Sequence, residues 1–403
     1  MPTRVGPKTY GKDNLVFGYD TGDTVNSFIG KPTTNLATAI QSRGGDVTAD
    51  PTDMPPLPRY IAPKVYCSSK VEESTTSWQS LFQYNTAISV ADGERFIVTA
   101  WVFVPEEKTN NRFNINCSVN GANTGLTQNP SHDIPTGRWV KLLGSYTNNT
   151  GAAVSITSTR VETYTAAEWT GNITCWAANF MIEKGSDLPS AFRGSPATAL
   201  GDTRSVSGSL LDLVGNTTID VEDVSFDLNA QLLWDGTNDK VELSPNRQYS
   251  TSSAWSAELV FERPSGSAGS WNPLFGGGLK TGGYWMFHNS NVLSYYEGHW
   301  APVTKIKYTS VTFDNEVNHH LVVTFQPQDI GSGSFRIYKN GEEAEDFDWG
   351  FSGSYSANFL HVGSADGRPG DHSVKVFNYY DRVLTPSEVV SNYKGVKGRF
   401  NIE

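Results

Sequence analysis

Cysteine is scarce. Cys67, Cys117 and Cys175 are the only three in 403 residues, and their spacing suits neither a disulfide framework nor a metal knuckle. Reduced thiols in a protein matured in a cytoplasm fit that set better than a secreted scaffold. Charge is thin as well, at 18% of residues against about 25% in an average domain. Basic charge is the scarcer sign: 31 Lys and Arg stand against 42 Asp and Glu, a net of −11. Residues 1–200 hold a net −1 and residues 201–403 a net −10. That leaves no basic face to track a phosphate backbone, so nucleic acid is not an expected partner. Long apolar runs are missing. No stretch approaches the ~18 residues of a membrane-spanning helix, and the uncharged segment from Phe113 to His132 is full of Asn, Ser and Thr. Membrane insertion is therefore not expected. Met1-Pro2-Thr3-Arg4 is followed by no apolar core, so no secretory signal is read. Walker A, G-x-G-x-x-G, G-x-S-x-G and H-E-x-x-H strings are also absent, which removes those nucleotide, hydrolase and zinc-protease classes.

Aromatic residues are plentiful at 12%, with 38 glycines and 20 prolines among many Ser, Thr and Asn. Such a composition favours strands and turns over helices. The length predicts two or three domains of the usual ~100 to 200 residues. Residues 1–59 are rich in Gly and Pro, end in Pro55-Pro56-Leu57-Pro58, and hold too few long apolar side chains for a core of their own. They read as an extended arm ordered by the rest of the chain or by another subunit. From Tyr60 to about Ser195 the chain alternates as strands do. Phe96 to Val104 is a β-branched and aromatic run, Phe113, Ile115, Cys117 and Val119 recur at period two, and Asn120-Gly121 signals a hairpin. Trp139 to Tyr146 reads as another strand, and Thr165 to Glu168 as a capping box opening one helical turn between Tyr164 and Trp169.

The second half repeats the pattern. Ser256 to Glu262, His319 to Phe325, Phe335 to Lys339 and Val374 to Tyr380 read as strands, with Asn340-Gly341 as a hairpin turn. Leu384-Thr385-Pro386-Ser387-Glu388-Val389 sets an N-cap, a proline at the first helical position, a capping-box glutamate and a hydrophobic staple, which predicts a short terminal helix.

These residues resemble known families. The Trp101 strand, Gly137 to Leu142 and the closing Ala177 to Ser186 are similar to carbohydrate-binding-module jelly rolls of phage virion proteins. The Asp235 to Asp239 turn, the Tyr338-Lys339-Asn340-Gly341 hairpin and the Tyr379 to Glu388 closure resemble a laminin-G-like, concanavalin-A-like jelly roll over about residues 200 to 400. Asn14 to Asp20, Asp212 to Asn216 and Asn392 to Phe400 resemble virion structural proteins of tailed phages. The expectation is an all-β chain of two antiparallel β-sandwich (jelly-roll) domains: residues 1–59 as an arm that anchors to partners, 60–195 as the first sandwich and 196–403 as the second. What the resemblance implies is a non-enzymatic virion-surface or appendage protein, assembled in the host cytoplasm, homo-oligomeric, docked to other virion proteins by its arm and binding glycans. The alternatives are a purely structural protein and a glycan hydrolase.

Sugar binding requires aromatic faces with polar groups beside them. Eight aromatics fall between 271 and 300. Of these, Trp271, Trp285, Tyr295, Tyr296 and Trp300, with His299, are the candidate ligand contacts, and at least half of the eight are expected in the core. No catalytic residue is assigned, because a glycosidase needs two carboxylates across a sugar ring and the concanavalin-A-like string Glu-x-Asp-x-x-Glu is absent; Glu258 to Glu262 lacks the middle acid. No metal site or cofactor is assigned. Asp235, Asn238, Asp239, Asp366 and Asp371 offer oxygens that Ca²⁺ accepts, but Asx residues in such turns more often cap their own backbone. Glu342 to Asp348 reads as a solvated edge, and at least one of His319 and His320 as a structural histidine.

Overall fold

The computed structural model describes residues 13–23, 26–29, 33–41, 47–48, 55, 67–71, 78–105, 112–129, 134–164, 174–185, 201, 203–221, 224–226, 232–234, 239–249, 251–264, 272–277, 283–288, 291–297, 305–329, 331–351, 358–365 and 368–402. The chain divides into two compact units. Residues 30–205 with 228–230 form one, and residues 1–29, 206–227 and 231–403 form the other. The first is thus an insertion in the chain of the second. We call them the inserted and the split sandwich.

In the inserted sandwich a six-stranded sheet runs in the order Thr127–Asn129, Trp139–Thr147, Arg95–Phe103, Thr174–Gly185, Cys67–Val71, Val47–Thr48. A second sheet orders Trp78–Tyr84, Val154–Tyr164, Arg112–Val119 and Ala122–Gly125, every pairing antiparallel. Strand periodicity explains the packing. Phe96, Val98, Ala100 and Val102 from one sheet meet Phe113, Ile115 and Cys117 from the other in one buried cluster. Asn120 (φ 48°) and Gly121 (φ 86°) make the expected tight turn, which the left-handed region permits for these two residue types.

The split sandwich stacks a six-stranded sheet, Leu15–Asp20, Ser373–Tyr380, Trp255–Glu262, Asn318–Pro327, Ser332–Lys339, Glu342–Gly350, on a five-stranded one, Lys305–Thr312, Val292–Glu297, Tyr284–Phe287, Asn272–Gly276, His361–Val362. Trp255 sits at the centre, its ring 5.7 Å from Phe325 and 5.9 Å from Tyr379. The helix Pro386–Phe400 forms where the capping box places it. Thr385 accepts from the Glu388 backbone, and the Glu388 carboxylate accepts from the Thr385 N–H at 2.8 Å. Leu384 and Val389 are buried in one cluster, completing the staple. The all-β sandwich class expected from the sequence is the observed one.

The expected arm, residues 1–59, is divided between the units. Leu15–Asp20 is an edge strand of the split sandwich, antiparallel to Ser373–Tyr380, with Phe17 and Tyr19 fully buried. Thr33–Thr34 and Val47–Thr48 pair inside the inserted unit, with Thr203–Arg204 and Cys67–Val71. The short apolar alternation Leu15, Phe17, Tyr19 is half a strand pair whose other half lies at the far end of the chain, so a local reading missed it. The helical turn expected at 165–168 lies outside the described residues.

Candidate functional site

Of the expected contacts, Trp285, Tyr295 and Tyr296 are interior residues, which corrects their assignment. Tyr284–Phe287 is a central strand of its sheet, and all four of its residues are buried. Trp285 pairs in register with Phe275 and Tyr295, and its ring lies 5.2 Å from Tyr295 and 5.4 Å from Phe335. Tyr296 points to the opposite face, buried with Tyr284 and Met286. Packing of this density is what large aromatic rings provide in a core. Trp271, His299 and Trp300 lie outside the described residues. The exposed aromatic in this sheet is instead Tyr308, 52% exposed, its hydroxyl 3.1 Å from His288 Nδ1.

The carboxylates of the split sandwich hold the structure together. Glu258 is fully buried against the helix side of its sheet. It meets His320 Nε2 at 2.9 Å and accepts from Tyr380, Asn392 and Asn378 at 3.1 to 3.2 Å. Glu297 is buried too and accepts from Trp349 Nε1 at 2.7 Å. On the outer face of the five-stranded sheet the register aligns Tyr284, Met286, Ser294, Tyr296, Ile306 and Tyr308, and none of the described residues there is acidic. Asp371, one of the oxygens considered for Ca²⁺, is clasped by Asn272: its carboxylate accepts from the Asn272 amide, and its backbone N–H donates back to Asn272 Oδ1 at 3.0 Å. Burial raises its pKa. Asp239 is described and buried, while Asp235, Asn238 and Asp366 lie outside the described residues. No group of three or more potential His, Cys, Asp or Glu ligands occurs among the described residues.

A different surface brings aromatics together. In the Arg95–Phe103 strand the even-numbered residues from Phe96 to Val102 fill the core of the inserted sandwich, so Trp101 and Phe103 face outward. Their neighbours are in register: Trp139 and Trp176 lie directly opposite Phe103 on the two flanking strands. Trp139–Phe103–Trp176 is therefore one aromatic row across three strands, with the Phe103 and Trp139 rings 5.6 Å apart. At ~4.8 Å between strands the row is about 10 Å wide. Trp101, Phe103 and Trp139 are half-buried, and the indole N–H of Trp139 donates to the Pro55 carbonyl at 3.3 Å.

The next row sets Lys141 opposite Trp101. Burial pushes the Lys141 pKa down to about 8, Glu183 opposing and Arg204 adding to the shift; burial likewise holds Arg204 at about 10. Glu183 accepts a 2.5 Å hydrogen bond from Thr33. The face thus joins flat apolar rings to a desolvated group of two cations and one carboxylate. Sequence reading identified the Trp101 and Trp139 strands and overlooked the site, because the signal, tryptophan at the outward phase of a strand, becomes a row only once strand order is known.

The fold defines a chain of two antiparallel sandwiches, one of them similar to concanavalin A-like domains. That likeness is specific to residues 235–390, which match the Concanavalin A-like lectin/glucanases superfamily. No curated protein matches the chain. Similar solved structures include the receptor binding domain of botulinum neurotoxin D, at 13% identity and TM-score 0.36 over 47% of this chain and 51% of that one. Another is the botulinum neurotoxin type G receptor binding domain, at 17%, TM-score 0.35, 46% and 48%. A third is the binding domain of botulinum neurotoxin DC in complex with rat synaptotagmin II, at 11%, TM-score 0.36, 47% and 49%. The match spans about half the length of each of these structures, and a likeness this slight says nothing of what this chain binds.

Proposed function

We propose that this chain is a non-enzymatic glycan-binding protein that stacks a sugar on Trp139 and Phe103, the half-exposed rings of the Trp139–Phe103–Trp176 row. The row itself is the observation that supports this reading. Its rings lie side by side on one sheet face, Phe103 and Trp139 half-exposed and Trp176 buried beside them, with Lys141 in the adjacent row. Glu258 and Glu297, both buried and engaged, lend the hydrolase reading no support.

The finer reading is a tailed-phage virion component, homo-oligomeric and joined to other virion proteins through its N-terminal segment. It is supported by the resemblance of residues 14–20, 212–216 and 392–400 to such proteins. Display in many copies would convert weak single contacts into firm attachment. Trp271, His299 and Trp300 stay in the proposal as a second set of contacts.

The test is an oligosaccharide array followed by titration with the wild type, Trp139→Ala with Phe103→Ala, and Trp271→Ala with Trp300→Ala. Loss of two stacked rings should weaken binding by roughly tenfold or more at the set that carries it. If wild type binds no glycan, or neither pair alters binding, the reading is wrong. Loss of incorporation into particles alone, with no glycan bound, would favour the purely structural alternative.

A further inference from the structure

Trp101, Phe103, Trp139 and Lys141, all half-buried, make a two-by-two grid on the outward face of the inserted sandwich. Phe103 lies opposite Trp139 and Trp101 opposite Lys141, so Lys141 stands two residues along from Trp139 on the same side of the same strand. That step is about 6.7 Å along the strand, and the step across to Trp101 about 4.8 Å. Beyond the grid the face closes over: Thr99, Ile97, Leu143, Met181 and Glu183, in register on the same side, are each at most 5% exposed. Thr33, paired with Arg204 in a short ribbon, hydrogen-bonds Glu183 there. Lys141 therefore sits where the face passes from covered to open. The covered end is charged. Glu183 acts on both Lys141 and Arg204, and Arg204 is only 6% exposed, so one carboxylate serves two cations. The balance of these three groups is one positive charge at the edge of the aromatic grid, in a chain whose net charge is −11. A cation held out of water at such an edge gains from an incoming anion.

We propose that this face selects an acidic sugar, a hexuronate stacked on Trp139 and Phe103 with its carboxylate paired to Lys141. The inference rests on the glycan-binding reading of that face. Stacking covers the C–H face of a pyranose and leaves its substituents at the ring edge. The carboxylate of a hexuronate is bonded directly to C5, so it stands at that edge, and the flexible four-carbon stem of a lysine spans the single step from the Trp139 row to the Lys141 row. A neutral hexose carries a hydroxymethyl at the same place. It offers Lys141 a hydrogen bond without a charge. A hydrogen bond between two ionised groups is about twice as strong as a neutral one, and a partly desolvated position strengthens it further, so the difference at this one substituent decides between the two sugars.

Matched oligomers of equal length test this: β-1,4-linked glucuronate against glucose, and β-1,4-linked mannuronate against mannose, each pair differing only at C6, with the methyl ester of each acid. With the full chain at low salt, the acid should bind at least about tenfold tighter than its neutral partner, in whichever pair binds. The advantage should shrink as salt is raised towards about 1 M, and the methyl esters should bind as the neutral sugars do. Lys141→Met keeps an apolar stem and removes the charge. It should bring acid and neutral affinities within about twofold while melting no lower than wild type, a combination that general disruption of the face would not give. Trp139→Ala should weaken both members of a pair and leave their ratio standing. Equal wild-type affinities for acid and neutral sugar, or an acid advantage that survives in the methyl ester or in Lys141→Met, would overturn the selection of the carboxylate while leaving the platform intact. Binding of no oligomer, acidic or neutral, would overturn both.

Discussion

Phe28 and Leu210 form an antiparallel bridge inside the split sandwich, although residues 30–205 of the inserted unit lie between them in the chain. Ile29 donates to the Ser209 carbonyl at 2.9 Å and Leu211 to that of Ser27 at 2.7 Å, so the outgoing and returning chains run side by side. Excising residues 30–205 and joining Ile29 to Val206 through a short Asn-Gly turn should leave a soluble split sandwich with one cooperative unfolding transition. Deleting residues 1–29 should not. It removes a paired edge strand and two fully buried rings, Phe17 and Tyr19, and should destabilise that unit by more than about 3 kcal/mol. Calorimetry on the two deletions decides the point; a stable 1–29 deletion would mean the strand is dispensable.

The Glu258 and His320 pair gives a second expectation. Glu258 has four side-chain partners and no exposure, so Glu258→Ala strands His320, Tyr380 and Asn392 in the interior. The expected loss is about 3–5 kcal/mol, read as a shift in denaturant midpoint at constant slope. A loss under about 1 kcal/mol would show that water replaces the carboxylate.

Acid should weaken the split sandwich through His372. This imidazole is fully buried; burial first, and the Arg263 cation next, push its pKa from 6.5 to about 3. The neighbouring groups are Asp371, whose Oδ1 is 3.4 Å from His372 Nδ1, and Asn272, whose carbonyl is 3.4 Å from Nε2. An unfolded histidine takes up its proton near 6.5 while the folded one refuses it. Stability is therefore full above pH 6.5 and falls as the pH drops from 6.5 towards 3. Burial lowers His319 in the same direction. Melting temperatures of wild type and His372→Gln across this range should diverge below pH 6.5, the variant falling less steeply; parallel curves would exclude His372 as the cause.

In the inserted sandwich Lys141 works against stability. Its pKa, held near 8 by burial, lies below the ordinary 10.5, so the folded state resists protonation and loses stability as the pH falls from 10.5 towards 8. At neutral pH the whole penalty is present. Lys141→Met should raise the stability of this unit by roughly 1–3 kcal/mol and flatten its pH dependence in the alkaline range. Measured destabilisation would mean that pairing with Glu183 outweighs burial.

Local chemistry was legible wherever the deciding partner lay within a few residues. The Asn340-Gly341 turn, at φ 50° and 84°, and the Thr385–Glu388 capping box follow from backbone allowance and reciprocal hydrogen bonds between near neighbours. Strand positions were legible from period two. The ligand contacts were not. Trp285 and Tyr295 carry the same local signature as an exposed cluster, and burial depends on which sheet covers them.

The amino-acid order by itself determined that this chain makes strands, tight turns and one capped helix, because those states are decided by φ preference and by side chains a turn apart. Tertiary structure alone decided that residues 15–20 complete a sheet begun at the other end of the chain and that Trp139, Phe103 and Trp176 share a row. Each of these depends on which strand lies beside which. That choice is made by burial summed over a whole sheet, a quantity no short segment carries.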